Sequence, residues 1–185
     1  IKKLTKLLFS FTSELFKTIV SFLSILLFSK FSSFRKLNKV IPIKKERKCF
    51  VIGTGPSFKK ILDHDYKMFL DNEVFVVNLF YESKYFEKIK PNNYVITDNG
   101  FWDETNDKRI LEIQKSFKIK MKSINWKINL FIPFDASTEF YKSLFINKNL
   151  NIIKYNRTQV EGFKIFSHIF YKYNLGMLRP DNVIL

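Results

Sequence analysis

Cys49-Phe50-Val51-Ile52-Gly53-Thr54-Gly55-Pro56-Ser57-Phe58 is a short apolar run that breaks on two glycines and a proline. Four apolar residues ending on glycine suit a buried parallel strand. Gly53 and Gly55 permit backbone angles and close approach that a side chain forbids, and Pro56 suits a first helical turn. A helix is therefore expected to start near Phe58. The free amides at such a start carry partial positive charge and can hold a phosphate without a lysine. No Gly-Lys-Ser/Thr follows and no third glycine is present, so neither the Walker loop nor the dinucleotide fingerprint fits. The bland alternative is a tight turn with no ligand.

Downstream, the same alternation repeats. Val74-Phe75-Val76-Val77 reads as a second strand ending at Asn78, and Phe80 to Lys88 as a helix that Pro91 terminates. Tyr94-Val95-Ile96-Thr97 makes a third strand ending at Asp98-Asn99-Gly100. Further on, Thr105 to Phe117 and Ser137 to Phe145 read as helices, and Ile128 to Ile132 and Asn151 to Lys154 as strands. The expected fold class is α/β, a Rossmann-like parallel sheet with flanking helices, preceded by an amphipathic N-terminal helix. A doubly wound version would gather the polar strand ends at one crevice. Asn78 and Asp98 thereby join Gly53, Thr54, Gly55, Pro56 and Ser57 as candidate nucleotide-binding residues, although each can also serve as a local cap.

The chain has 185 residues, enough for one domain with a proper core, and 46% hydrophobic against 26% charged residues excludes wholesale disorder. The net charge of +15 is concentrated at one end: residues 1 to 48 carry twelve Lys and Arg against Glu14 and Glu46. That basic excess lies beside an apolar segment, which points to anionic lipid rather than nucleic acid. Leu4, Leu7, Leu8, Phe11, Leu15, Ile19, Phe22, Ile25 and Leu26 recur at helical spacing, so residues 1 to about 40 are expected to be helical. Lys2, Lys3, Lys6, Lys17, Lys30, Arg35, Lys36 and Lys39 would anchor that helix at an interface. The uncharged stretch between Lys17 and Lys30 is twelve residues, short of the roughly 20 that cross a bilayer, so the helix is expected to lie in the membrane. Packing of its Leu/Phe face on protein is the alternative. The expected domains are residues 1–47, a basic membrane-associating segment with its linker, and residues 48–185, a nucleotide-binding domain incomplete at its C-terminus. Ile1 and the ending Asn182-Val183-Ile184-Leu185 read as cuts in a longer protein. Cys49 is the only cysteine, which fits a reducing compartment.

The runs Phe50 to Phe58 and Val74-Phe75-Val76-Val77-Asn78-Leu79-Phe80-Tyr81-Glu82 resemble the opening of bacterial sialyltransferases of glycosyltransferase family 42. They also resemble the wider group of hydroxymethylpterin-pyrophosphokinase-like domains. The likeness spans about residues 48 to 102 and departs at Thr54, where the family carries Asn. It implies a CMP-linked sugar donor as substrate and no separate cofactor. Gly53, Thr54, Gly55, Pro56 and Ser57 would lie by the nucleotide phosphate, and Asn78 by the cytidine or ribose. Glycan acceptor and anionic membrane are the implied partners, surface polysaccharide or lipooligosaccharide synthesis the setting, and the inner face of the cytoplasmic membrane the location. No nucleic acid is expected, and self-association is left open.

The other polar residues point less clearly. His64, between Asp63 and Asp65, reads as a solvated loop residue, His168 as packed, and no metal site is expected from two histidines. Asp103, Glu104 and Asp107 suit a helix start better than a cation site. Arg157 and Arg179 can hold an anion or simply face water, and Tyr81 and Tyr85 can stack on a base or pack in the core. No catalytic residue is identified. A pyrophosphokinase-like enzyme using ATP with a divalent metal, and a non-catalytic membrane-associated scaffold, are the alternative functions.

Overall fold

The computed structural model describes residues 2–30, 48–53, 55–144 and 146–178. The chain forms two compact units, residues 42–154 and residues 1–41 with 155–185. The first contains β1 (Cys49–Ile52), α2 (Pro56–Asp65), β2 (Glu73–Val77), α3 (Phe86–Ile89), β3 (Asn93–Val95), α4 (Lys108–Ser123), β4 (Ile128–Pro133), α5 (Thr138–Lys142) and β5 (Leu150–Tyr155). These strands form a five-stranded parallel sheet with helices flanking it, as the apolar runs predict.

The strand order is β1-β2-β3-β4-β5, with Ile52 opposite Val76, Val77 opposite Val95 and Val95 opposite Phe131. Among the described strands the order never reverses, so the crevice that a doubly wound sheet opens at its reversal is not formed by them. β1 is an edge strand. Ile52 is fully buried, whereas Val51 on its other side is 74% exposed. The sequence reading of β1 as buried throughout holds for one face only.

Alternate residues of the strands point into one core, where Ile52, Val76, Tyr94, Ile96, Leu130 and Ile132 meet Leu62, Phe101, Phe117, Met121 and Phe140. The opposite face carries a relay of side-chain amides. Asn93 donates to Glu73, Asn129 donates to Asn93 at 2.9 Å, and Asn151 donates to Asn129 at 2.8 Å, so the fully buried Asn93 is satisfied.

Three helices of this unit depart from expectation: α5 covers only Thr138–Lys142 of the expected Ser137 to Phe145, and two others differ for local reasons. The helix expected over Phe80 to Lys88 is a tight turn at Asn78–Glu82 followed by the short α3. Asn78 takes a left-handed conformation, the Tyr81 N–H goes to the Tyr94 hydroxyl, and Ser83 is extended, so the i to i−4 ladder cannot run through. The expected helix from Thr105 starts at Lys108 instead, where the Asp107 carboxylate accepts the Arg109 N–H at 2.8 Å.

The second unit joins α1 (Lys2–Phe28), β6 (Gln159–Val160), α6 (Lys164–Lys172) and β7 (Met177–Leu178), with β6 and β7 paired parallel. In this unit the stretch from Tyr155 packs with α1. Their join combines a small apolar cluster, Ile25 with Val160 and Phe170, with hydroxyl hydrogen bonds. Ser21 Oγ accepts the Glu161 N–H at 2.8 Å and donates to its carbonyl, Thr18 Oγ1 accepts the Phe163 N–H at 2.9 Å, and Ser29 Oγ bonds the Thr158 hydroxyl. Gly162 makes this closeness possible. Its φ is +102°, and a Cβ there would stand 2.1 Å from Thr18 Oγ1 and 2.6 Å from the Thr18 nitrogen. Gly162→Ala is expected to destabilise the unit by about 1–3 kcal/mol through overpacking. Faster amide hydrogen exchange in α1, with the sheet unchanged, is the readout.

Candidate functional site

Parallel register brings the C-terminal ends of β1, β2 and β3 to one edge of the sheet, and the six described candidate residues, Gly53, Gly55, Pro56, Ser57, Asn78 and Asp98, lie on the segments leaving that edge. Gly55 is the N-cap of α2 at φ −67°, ψ 151°, a conformation any residue adopts, and it offers no side-chain cap to the helix amides. Gly162 is the only glycine at positive φ among the described residues, and a Cβ on Gly53 would meet nothing within 4 Å. The backbone freedom that glycine permits is therefore not used at Gly55. Gly53 leaves open space on its own Cβ side, and the α2 start has no side-chain cap from Gly55. Thr54, and the side chains of Pro56 and Ser57, lie outside what the structure describes.

Asn78 is the best-defined residue of the edge. It sits at φ 45°, a left-handed conformation that asparagine tolerates better than most residues. Its backbone carbonyl accepts from the Tyr94 hydroxyl, and its Oδ1 accepts from the Thr97 N–H at 3.0 Å and from the Thr97 hydroxyl at 3.1 Å. Burial pushes the Tyr94 phenol well above the ordinary tyrosine range, so this hydroxyl remains a donor. A backbone N–H can only donate, so the side-chain atom facing Thr97 must be the oxygen. The Nδ2 group donates to no protein acceptor among the described residues. Tyr94 and Thr97 are the residues that sequence reasoning missed. The signal for Thr97 was its polarity at a strand end beside Asn78.

Asn78→Ala is expected to lose the Thr97 bonds and to strain the left-handed backbone, destabilising by about 1–2 kcal/mol. Asn78→Gly should recover the backbone part, since glycine takes positive φ freely. Urea denaturation of the two variants side by side separates the contributions.

Asp98 serves the turn after β3. Its Oδ1 accepts the Gly100 N–H at 2.8 Å while the residue stays exposed. Tyr81 and Tyr85 are only 4% and 6% exposed. The Tyr81 hydroxyl meets Ser116 at 2.7 Å and the Tyr85 hydroxyl donates to Asp63, so both belong to the packed interior and neither stacks on a base. His64 is exposed as expected, but within α2 rather than in a loop, whereas His168, expected to pack, is exposed on α6 because Ser167 and Phe170 take the buried side. Arg157 is half-buried in the second unit, and Arg179 lies outside the described residues. No group of three or more His, Cys, Asp or Glu side chains gathers as metal ligands among the described residues.

A second surface lies on α1. This helix is long and apolar enough to cross a membrane. At helical spacing Glu14, Lys17, Thr18, Ser21 and Ile25 share one side, and that side is covered by the stretch after Tyr155. Leu8, Phe9, Phe16, Leu23 and Leu27 occupy the opposite arc and are 52–77% exposed. The helix is therefore reversed relative to a surface helix of a water-soluble domain, whose apolar stripe faces inward. The described structure does not place the Leu/Phe arc on the rest of the chain. Glu14 and Lys17 pair at 3.0 Å within the helix, which offsets the two charges in its middle.

Compared with known proteins, the chain matches no family model, no curated protein and no solved structure.

Proposed function

We propose that the edge formed by Gly53, Thr54, Gly55, Pro56, Ser57, Asn78 and Asp98 binds a nucleotide-sugar donor, CMP-linked, and that the chain belongs to a glycosyltransferase working at the inner face of the cytoplasmic membrane. The observation that carries this is Asn78: a left-handed asparagine, locked through Tyr94 and Thr97, with its amide donor left over at the edge where an uncapped helix start lies. Locked donors beside open helix amides suit a ligand with both a phosphate and a hydrogen-bonding base or ribose. The α2 amides take the phosphate, and Asn78 Nδ2 takes a carbonyl of the base or a ribose oxygen. The resemblance of residues 48 to 102 to the sialyltransferase opening makes cytidine the base of choice.

The reaction that fits is displacement at the sugar. The acceptor oxygen bonds the anomeric carbon, the bond from sugar to phosphate breaks, and the phosphate oxygen leaves with the electron pair. The α2 amides stabilise the charge that grows on that phosphate. A general base takes the acceptor proton, and none of the described residues is assigned that role. Outward-facing Leu and Phe side chains on α1, with the lysines around them, support placement at an anionic membrane where lipid-linked or surface glycans are built.

Thermal unfolding with added nucleotides tests the donor. CMP or a CMP-sugar at about 100 times its dissociation constant should stabilise the protein by about 2.7 kcal/mol. A larger rise with ATP and magnesium than with CMP would turn the assignment toward a pyrophosphokinase. No rise with any nucleotide would favour a non-catalytic scaffold.

A further inference from the structure

We infer that α6 is a second membrane-inserting element and that α1 lies along the membrane plane rather than across it, an inference that rests on the membrane placement proposed above. The ties between α1 and the stretch after Tyr155 run from Phe11, whose ring lies 5.4 Å from that of Phe163, to Ser29, which bonds Thr158 and Leu175. At 1.5 Å per residue this is about 27 Å of helix, nearly the whole hydrocarbon thickness of about 30 Å. If α1 crossed the bilayer, β6, Glu161 and Lys164 would be carried into hydrocarbon beside it. Paired β-strand edges and charged side chains are not tolerated there. In the plane, β6 and Glu161 sit on the water side and the Leu/Phe arc faces the acyl chains.

A second exposed apolar surface lies on α6, which packs on α1 through one ring pair. Phe22 of α1 meets Phe170 of α6 at 6.5 Å between ring centroids. Beyond Phe170, the side of α6 that does not face α1 carries Ile165, Phe166 and Ile169, exposed by 72%, 48% and 41%. Lys164 and Lys172 bracket the helix and can reach lipid phosphates while their stems lie along the apolar surface. Nine residues with three unpaired large apolar side chains and a lysine at each end suit an anionic bilayer surface.

The test uses the full chain with Cys49→Ser, because the exposed Cys49 is its only cysteine. Single cysteines replace Leu4, Phe16 or Leu27 on α1, and Ile165 or Ile169 on α6, and each is labelled with an environment-sensitive nitrobenzoxadiazole dye. Vesicles of phosphatidylethanolamine with phosphatidylglycerol are then added. Emission is expected to rise severalfold and shift to shorter wavelength at all five positions. Lipids carrying quenchers at graded acyl depth should report similar depth at positions 4, 16 and 27. A rise on α1 with none at 165 and 169 would overturn the role of α6 and leave the membrane placement standing. A deep position 16 between shallow positions 4 and 27 would mean that α1 spans, and would overturn the in-plane arrangement. No rise anywhere would overturn both this inference and the membrane placement. Ile165→Glu with Ile169→Glu is expected to reduce vesicle cosedimentation severalfold with an unchanged circular dichroism spectrum, whereas unchanged cosedimentation would count against α6.

Discussion

Phe117→Ala is expected to lower the unfolding free energy by about 3–5 kcal/mol, the cost of emptying an aromatic site in a core. Phe117 is fully buried on α4, and its ring centroid lies 4.9 Å from Phe101, 5.3 Å from Tyr81, 5.8 Å from Tyr94 and 6.0 Å from Phe140. Those four rings come from four different segments, so the cavity cannot close by the shift of a single neighbour. A loss of this size is a large share of the 5–15 kcal/mol that holds a typical domain together. Its effect should also reach the site. Tyr94, packed on Phe117, is the residue whose hydroxyl holds the Asn78 backbone. Urea denaturation followed by far-UV circular dichroism measures the loss. A change below about 1 kcal/mol would mean that the aromatic cluster is not the keystone of the sheet's covered face.

Gly55→Asp is expected to remove nucleotide binding while keeping the fold. Gly55 caps α2 in an extended conformation open to any residue, and aspartate is among the preferred N-caps, so the variant should be at least as stable as the native chain. The new carboxylate would accept from the α2 amides that the phosphate needs, and its charge would repel a second anion. Losing charge-assisted bonds worth about 1.5–3 kcal/mol weakens binding about 10- to 100-fold before repulsion is counted. Unfolding of the variant would contradict the backbone geometry. Unchanged CMP affinity in a folded variant would remove the phosphate from this turn.

The sheet was legible because its strands are short apolar runs, each ended by a glycine, proline or polar residue. Cys49–Ile52, Glu73–Val77, Asn93–Val95, Ile128–Pro133 and Leu150–Tyr155 all fall on or within two residues of those runs. Strand order was not legible, since nothing in Val51 distinguishes an edge strand from a central one. The stretch after Tyr155 was missed for a physical reason. β6 and β7 have two residues each, too short for any periodicity, and they depend on α1 from the other end of the chain. The orientation of α1 was likewise hidden. Its heptad-like Leu and Phe spacing predicts a helix but not which side the rest of the chain covers; that side carries hydroxyls at Thr18, Ser21 and Ser29 together with the buried Ile25.

At the site, Gly53 to Ser57, Asn78 and Asp98 were each visible as polar or glycine breaks at strand ends. The roles within that set were not. Asp98 turned out to hold a local turn, and Asn78 gained its meaning only through Thr97 and Tyr94, whose hydrogen bonds have no signature in sequence. For Tyr81 and Tyr85 the sequence left stacking on a base and packing in the core both open, and burial places them in the core.

The most direct test of the donor site is calorimetric titration of CMP into the native chain and into Gly55→Asp under identical conditions. Saturable binding to the native chain that is lost in the folded variant is the expected result. Equal binding by both, or binding by neither, would contradict a nucleotide phosphate held at the start of α2.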